Sequence, residues 1–257
     1  MSSQFTIYSS TDVNGPGPLT GKTGSLIQVL DACLVNGYGS KPSAGWTKPL
    51  ANISASCIGC YQQGAGSQFT LFVNDNAPLN GTSNTYGEAW AVGWLNMTSL
   101  SAVTSSTNVG LGSGQFPLPS QALTQGKTIW RKSNTTDTVP RSWIVAADAY
   151  TMYIWVADGG GNYYHGGFGD FYSLYGSSDK ARCFIFGKGG EQTATITNTE
   201  QTDCISAGNT FDSSNTNKLV YGFPGHYIAS SPAFSTPPIN YTKKGDYTVS
   251  ISGYGYR

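Results

Sequence analysis

Gly15-Pro-Gly-Pro-Leu-Thr-Gly-Lys-Thr23 stands between an apolar run, Phe5 to Tyr8, and the best helical pattern in the chain. A glycine-rich loop in that setting can cradle phosphates with backbone N–H groups. Ile144-Val-Ala-Ala-Asp148 would then imitate the acidic strand end that helps to hold magnesium. The register fails. Counting back five from Gly21 reaches Pro16, where the loop needs its first glycine. Pro16 and Pro18 also remove two of the donors such a cradle depends on. The segment reads instead as a turn that delivers the chain to a helix start, with Lys22 solvated, and neither binding nor hydrolysis of ATP is expected.

Other chemistry-bearing residues are scattered. Cys57-Ile-Gly-Cys60 has the spacing of half a zinc knuckle or of a redox pair, but Cys183 and Cys204 are distant in sequence and His165 and His226 are isolated. Five cysteines behind an N-terminus with no basic or apolar leader read as reduced thiols, with Cys33 buried on a helix face and the state of Cys57 and Cys60 left open. Gly110-Leu-Gly-Ser-Gly114 is too short for a dinucleotide fingerprint, and no serine elbow has a credible histidine partner. Glu88, Asp148, Asp158 and Asp170 fall near strand ends and could supply a glycosidase pair, although turn stabilisation is the commoner task of such carboxylates. The sequon-like triplets at Asn52, Asn80, Asn96, Asn134 and Asn240 read as chance in a chain rich in Asn, Ser and Thr. No catalytic, cofactor-binding or metal-binding residue is assigned, and no enzyme is expected.

The elements that would position these residues are mostly strands. One helix is expected over 26–36: Ser25 with Gln28 forms a capping box, and Leu26, Val29, Leu30, Cys33 and Leu34 share one face. Gly37 would close it in a left-handed cap. Strands are expected at Phe69 to Asn74, with Phe69, Leu71 and Val73 on one face, and through Trp90, Val92 and Trp94. Others fall at Thr128 to Lys132, Trp143 to Ala147 and Met152 to Ala157, the last two joined by a tight turn at Asp148-Ala149-Tyr150. Asp158-Gly-Gly-Gly-Asn162 turns into Tyr163 and Tyr164. Further strands are placed at Cys183 to Phe186, Thr193 to Thr199, Lys218 to Tyr221 and Tyr247 to Ser252. Long loops are expected over Thr98 to Gln125, 201–217 and 230–245. The fold class is mainly β (α+β), with antiparallel sheets or a sandwich and one N-terminal amphipathic helix packed on a sheet.

Composition narrows the partners. In 257 residues, 14 Lys and Arg balance 14 Asp and Glu, and charged residues make up only 11% of the chain, against the ~25% usual for soluble proteins. A nucleic-acid binder needs a basic stripe, and a membrane-surface protein needs a polybasic patch; neither is expected here. Sixteen Tyr and six Trp argue against disorder and suit surfaces that meet other proteins. Tyr163, Tyr164, Phe168, Phe171, Tyr172 and Tyr175 form the densest aromatic cluster, read chiefly as core.

Leu30-Asp-Ala-Cys-Leu-Val-Asn-Gly-Tyr-Gly-Ser-Lys-Pro-Ser-Ala-Gly-Trp-Thr-Lys-Pro49 resembles a segment of structural proteins of tailed double-stranded-DNA bacteriophages. Trp130-Arg-Lys-Ser-Asn, Arg141-Ser-Trp-Ile-Val and the Asp148 to Asp158 hairpin resemble a later part of the same family. The likeness spans about Ser3 to Gly190. It implies a family-like β domain over 1–190; residues 191–257, which the likeness does not reach, read as a C-terminal β extension or as part of the same domain. The same likeness implies a virion component, made in the host cytoplasm, whose partners are other virion proteins and copies of itself. Head decoration, neck and tail accessory roles all fit, and a receptor- or glycan-binding module of the particle is the alternative. The resemblance brings no catalytic residue with it.

Overall fold

The computed structural model describes residues 4–52, 57–76, 87–100, 110–116, 128–161, 163–170, 182–189 and 221–222. The described residues are mostly β, with two antiparallel sheets and one short helical segment. With strands numbered in chain order, the first sheet comprises β1 (Thr6–Ser9), β8 (Trp143–Ala147), β9 (Thr151–Ala157), β10 (Tyr163–Asp170), β11 (Arg182–Gly189) and β12 (Tyr221–Gly222), adjacent in that order. The second runs β2 (Thr47–Asn52), β3 (Ile58–Gln62), β4 (Thr70–Asn74), β5 (Gly87–Ser99) and β6 (Leu111–Phe116). β7 (Thr128–Ser133) also pairs with β5, along its first half, while β6 takes the second half.

Period-two patterning decides what each strand buries. Trp143, Val145 and Ala147 of β8 and Met152, Ile154 and Val156 of β9 enter the central core. Phe69, Leu71, Val73, Ala89 and Ala91 reach it from the second sheet, on the face expected for the first three. The opposite face of that sheet is not left to solvent. Ile58, Cys60, Phe72, Val92 and Trp94 form a second buried cluster there. Gly93 lies between the two: a Cβ on it would come within 2.6 Å of the Phe69 ring and 3.3 Å of Phe168. Its bareness leaves room for the pair that ties the sheets, Phe69 stacked on Phe168 at 4.2 Å between centroids.

The helical segment keeps its expected span but not its expected form. Ser25–Leu30 is α1, and Asp31–Asn36 continues as a π-helix, closed by Gly37 N–H to Ala32 O at 2.8 Å. Leu26, Ile27, Val29, Leu30, Cys33 and Leu34 are all buried, a wider apolar sector than a single stripe, because the π-helical part touches both β2 and β8. The expected capping box does not form. Gly24 is the cap residue and has no side chain to offer, and Ser25 Oγ donates instead to the Thr20 and Lys22 carbonyls. Gly37 has a positive φ of 72° but an extended ψ of 172°, so the chain leaves sideways rather than through a left-handed helical cap.

One further correction concerns a loop. Thr98 to Gln125 is not one long loop: β5 extends to Ser99 and Leu111–Phe116 pairs with it, Asn96 opposite Ser113. Gly112 and Gly114 deprive that strand of an apolar alternation, so its pairing rests on backbone hydrogen bonds. The Pro16 to Thr23 segment makes an isolated bridge, Leu19 to Arg141, and β1 pairs antiparallel with β8; a phosphate loop would need a parallel sheet there. The Asp148 to Tyr150 turn forms as expected, with Asp148 Oδ1 accepting from Tyr150 N–H and Thr151 N–H at 2.8 Å each. The strands expected at Thr193 to Thr199 and Tyr247 to Ser252, and the loops 201–217 and 230–245, lie outside the described residues.

The Leu30 to Pro49 segment proves to be scaffolding. Ala44 N–H and Trp46 N–H return to the carbonyls of Cys33 and Leu34 at 3.0 Å each, and Trp46 Nε1 donates to Asp148 O at 2.6 Å. The same segment guards the free edge of β1. Lys41 Nζ donates to Ile7 O, Tyr38 Oη to Asp12 Oδ2, Ser9 N–H to Asp12 Oδ2 and Asp12 N–H to Ser9 O, so three backbone groups of the edge are occupied. Cys33 is fully buried among apolar side chains, and burial pushes its thiol up. Cys33→Ser is expected to cost about 1–3 kcal/mol by placing a hydroxyl there. Urea unfolding measures this loss, and rapid labelling of Cys33 in the native protein would show that the site is open.

Candidate functional site

Two places combine unusual chemistry with defined geometry. The first is a buried polar centre where α1 begins. Lys132, on β7, and Asp75, just after β4, meet there with side chains 1% and 0% exposed. Lys132 Nζ contacts Asp75 Oδ1 and also donates to Lys22 O at 2.5 Å and Ser25 Oγ at 3.2 Å. Asp75 Oδ2 accepts the Leu26 N–H at 2.9 Å, and Asp75 N–H donates to Cys57 O at 2.9 Å. Burial pushes the Asp75 carboxyl up against the pull of the Lys132 ammonium, and burial also pushes Lys132 down.

The neighbours of Lys132 in the Trp130 to Asn134 motif extend this network between the sheets. Arg131 Nε and Nη2 donate to Glu88 Oε1 on the adjacent strand at 3.0 and 2.9 Å, with the guanidinium 5.9 Å from the Tyr164 ring of the first sheet. Ser133 Oγ accepts from Arg141 Nε at 2.9 Å, and Arg141 Nη2 reaches Thr135 and Asp137. All of these contacts orient protein against protein.

The second place is the outward face of the first sheet. Phe5 and Ile7 beside β8, Ile144 of β8, Trp155 of β9 and Tyr163 of β10 are all exposed, Tyr163 by 57%. Register joins them: Ile7 lies opposite Ala146, Ile144 opposite Trp155, and Trp155 opposite His165. Tyr153 stands between Phe5 and Trp155, its ring centroid 6.0 Å from the first and 6.2 Å from the second, stacked on Trp155. Burial holds the His165 imidazole below its ordinary range, so it is neutral at pH 7. Among the described side chains of β1, β8, β9 and β10, no Lys, Arg, Asp or Glu shares this face. An apolar, uncharged sheet face of this width is the usual mark of a contact surface.

The residues singled out as candidates are dispersed. Asp158 accepts from Gly160 N–H at 2.7 Å and Asp148 closes its own turn, so both stabilise turns. Asp170 accepts from Ser67 N–H and Ser67 Oγ at 2.6 Å, and Glu88 is held by Arg131. No disulfide joins Cys57 to Cys60; Cys60 faces the second buried cluster, with its thiol pushed up by burial to about 12, whereas Cys57 lies beside Gly24. Among the described residues no three His, Cys, Asp or Glu side chains are grouped to hold a metal ion. No helix of the described residues is long and apolar enough to cross a membrane. Of the aromatic cluster, Tyr164 and Phe168 are core and Tyr163 is exposed. Phe171, Tyr172, Tyr175, Cys204 and His226 lie outside the described residues.

No family model matches the chain, and no curated protein or solved structure is significantly similar to it. Nothing outside the chain decides its role.

Proposed function

We propose that the protein is a non-enzymatic structural component of a tailed-phage particle, held in place through protein–protein contacts made by the outward face of its first sheet. The observation behind this reading is that face: Phe5, Ile7, Ile144, Trp155 and Tyr163 exposed together with no charge among them. The chain's zero net charge fits the same role, since many copies can sit side by side without mutual repulsion. The resemblance of Leu30 to Pro49 and Trp130 to Asn134 to phage structural proteins supplies the class of particle. Attachment of this kind draws on apolar area and backbone hydrogen bonds, and screening has little to act on.

Purified particles washed in about 1 M NaCl, where the Debye length is ~3 Å, will therefore keep the protein. Trp155→Asp will cost the isolated protein about 1–2 kcal/mol, through its lost stacking on Tyr153 and poorer strand propensity, and leave it folded. The same change will lower its incorporation at least about tenfold, equivalent to ~1.4 kcal/mol. Release by salt alone, or full incorporation of the aspartate variant, would sink the reading. Stacked exposed rings also suit sugars, which supports a second reading as a glycan- or receptor-binding module. Glycan binding that Trp155→Ala abolishes while incorporation is untouched would favour it.

A further inference from the structure

We propose that Lys132 and Asp75 become joined by an amide bond between Nζ and Cγ, an internal cross-link that the chain forms by itself. The arrangement holds both reactants where the reaction needs them. Both side chains are buried, at 1% and 0% exposure, and Nζ is in direct contact with Oδ1. Lys22 O and Ser25 Oγ fix the nitrogen from behind. Apart from the Lys132 ammonium, Oδ1 has no hydrogen-bond partner among the described residues, so it is the oxygen able to leave. Oδ2 is held by the Leu26 N–H at 2.9 Å, a donor already placed for the negative charge that develops on that oxygen.

The step balances without any further reactant. The ammonium passes one proton to Oδ1, and the freed nitrogen lone pair attacks Cγ. The tetrahedral intermediate carries its charge on Oδ2. A second proton then moves from nitrogen to Oδ1, the Cγ–Oδ1 bond breaks, and water departs. An ammonium and a carboxylate have become a secondary amide and one water, with nothing oxidised or reduced. Burial drives both groups toward the neutral forms that react, and holding them in contact replaces an encounter in solution. The product also removes two charges from a site where their desolvation is costly, which an ion pair cannot do. Ser25 Oγ, at 3.2 Å from Nζ, is a weak acid and a poor proton relay, so a slow, single-turnover maturation is expected rather than rapid chemistry.

Intact-mass measurement on the full chain, unfolded and reduced, tests this directly. The expected mass is that of the sequence less one water, and proteolysis should yield a branched peptide joining residues around Asp75 to residues around Lys132. Lys132→Arg should restore the full mass and linear peptides only. The wild-type measurement stands alone if that variant does not fold. A wild-type mass equal to the sequence, or a lost water that maps to any other pair of residues, overturns the proposal.

Discussion

Lys132→Met will destabilise the protein by about 3–5 kcal/mol, since removing one partner of a buried pair strands the other charge. Asp75 has no exposed side-chain surface through which water could compensate. The substitution also removes the charged donor to Lys22 O and Ser25 Oγ, leaving Lys22 O with Ser25 and Ser25 Oγ with the Thr20 N–H. Adding Asp75→Leu removes the stranded carboxylate and should recover part of the loss, leaving the Leu26 N–H unsatisfied at a cost of about 1–3 kcal/mol. Urea titrations of the single and double variants give these figures, provided the slope with denaturant is unchanged. A single variant as stable as the parent would mean that the centre contributes nothing to the fold. If the pair is joined covalently the loss grows, because a closed loop restrains the unfolded chain as well.

Phe168→Ala will cost about 3–5 kcal/mol, the range for emptying a packed aromatic site. Phe168 belongs to the first sheet, yet its ring stacks on Phe69 at 4.2 Å and meets Trp46 at 6.0 Å. Gly93 opposite offers no side chain that could move into the space. Collapse around the cavity is thereby limited, and the loss should sit at the upper end of that range. Thermal unfolding followed by Trp fluorescence reads it, and a shift no larger than that of an exposed control such as Tyr163→Ala would show that the sheets are not tied here.

The helix and the alternating strands were legible because their signals are local. Leu26 to Leu34 carries its apolar spacing in its own sequence, and Phe69 to Asn74 carries its alternation. The π-helical turns were not legible, because their cause lies outside the segment: Ala44 and Trp46 occupy the carbonyls of Cys33 and Leu34. The capping box misled for a related reason. Asp75, distant in sequence, supplies the acceptor for Leu26 N–H, and Ser25 Oγ is turned toward Lys132 and two carbonyls. Nothing in Asn74-Asp75-Asn76 or Trp130 to Asn134 announces that they meet. The outward face does leave a trace in the sequence. Trp143 to Ala147 has no polar residue at any position, and in an antiparallel strand with one buried face that pattern means an apolar face turned outward. In Tyr163 to Phe168 the pleat sends Tyr164 and Phe168 inward and leaves Tyr163 on the outward face.

The pairing of β1 with β8 has a consequence for how the chain is born. Strands β2 to β5 are consecutive neighbours, so the second sheet can assemble roughly as it leaves the ribosome. Thr6 must wait for Ala147, and Trp46 Nε1 for the carbonyl of Asp148. At about 5–20 residues per second that wait lasts roughly 7–30 s. During it β1 lacks β8, and the apolar sector of the helical segment lacks the cover that β8 later provides. Non-local closure of this kind slows folding and leaves sticky surface in view while synthesis continues. The nascent protein therefore has an interval in which a holding chaperone would find it, and that interval closes when the hairpin from Trp143 to Ala157 emerges.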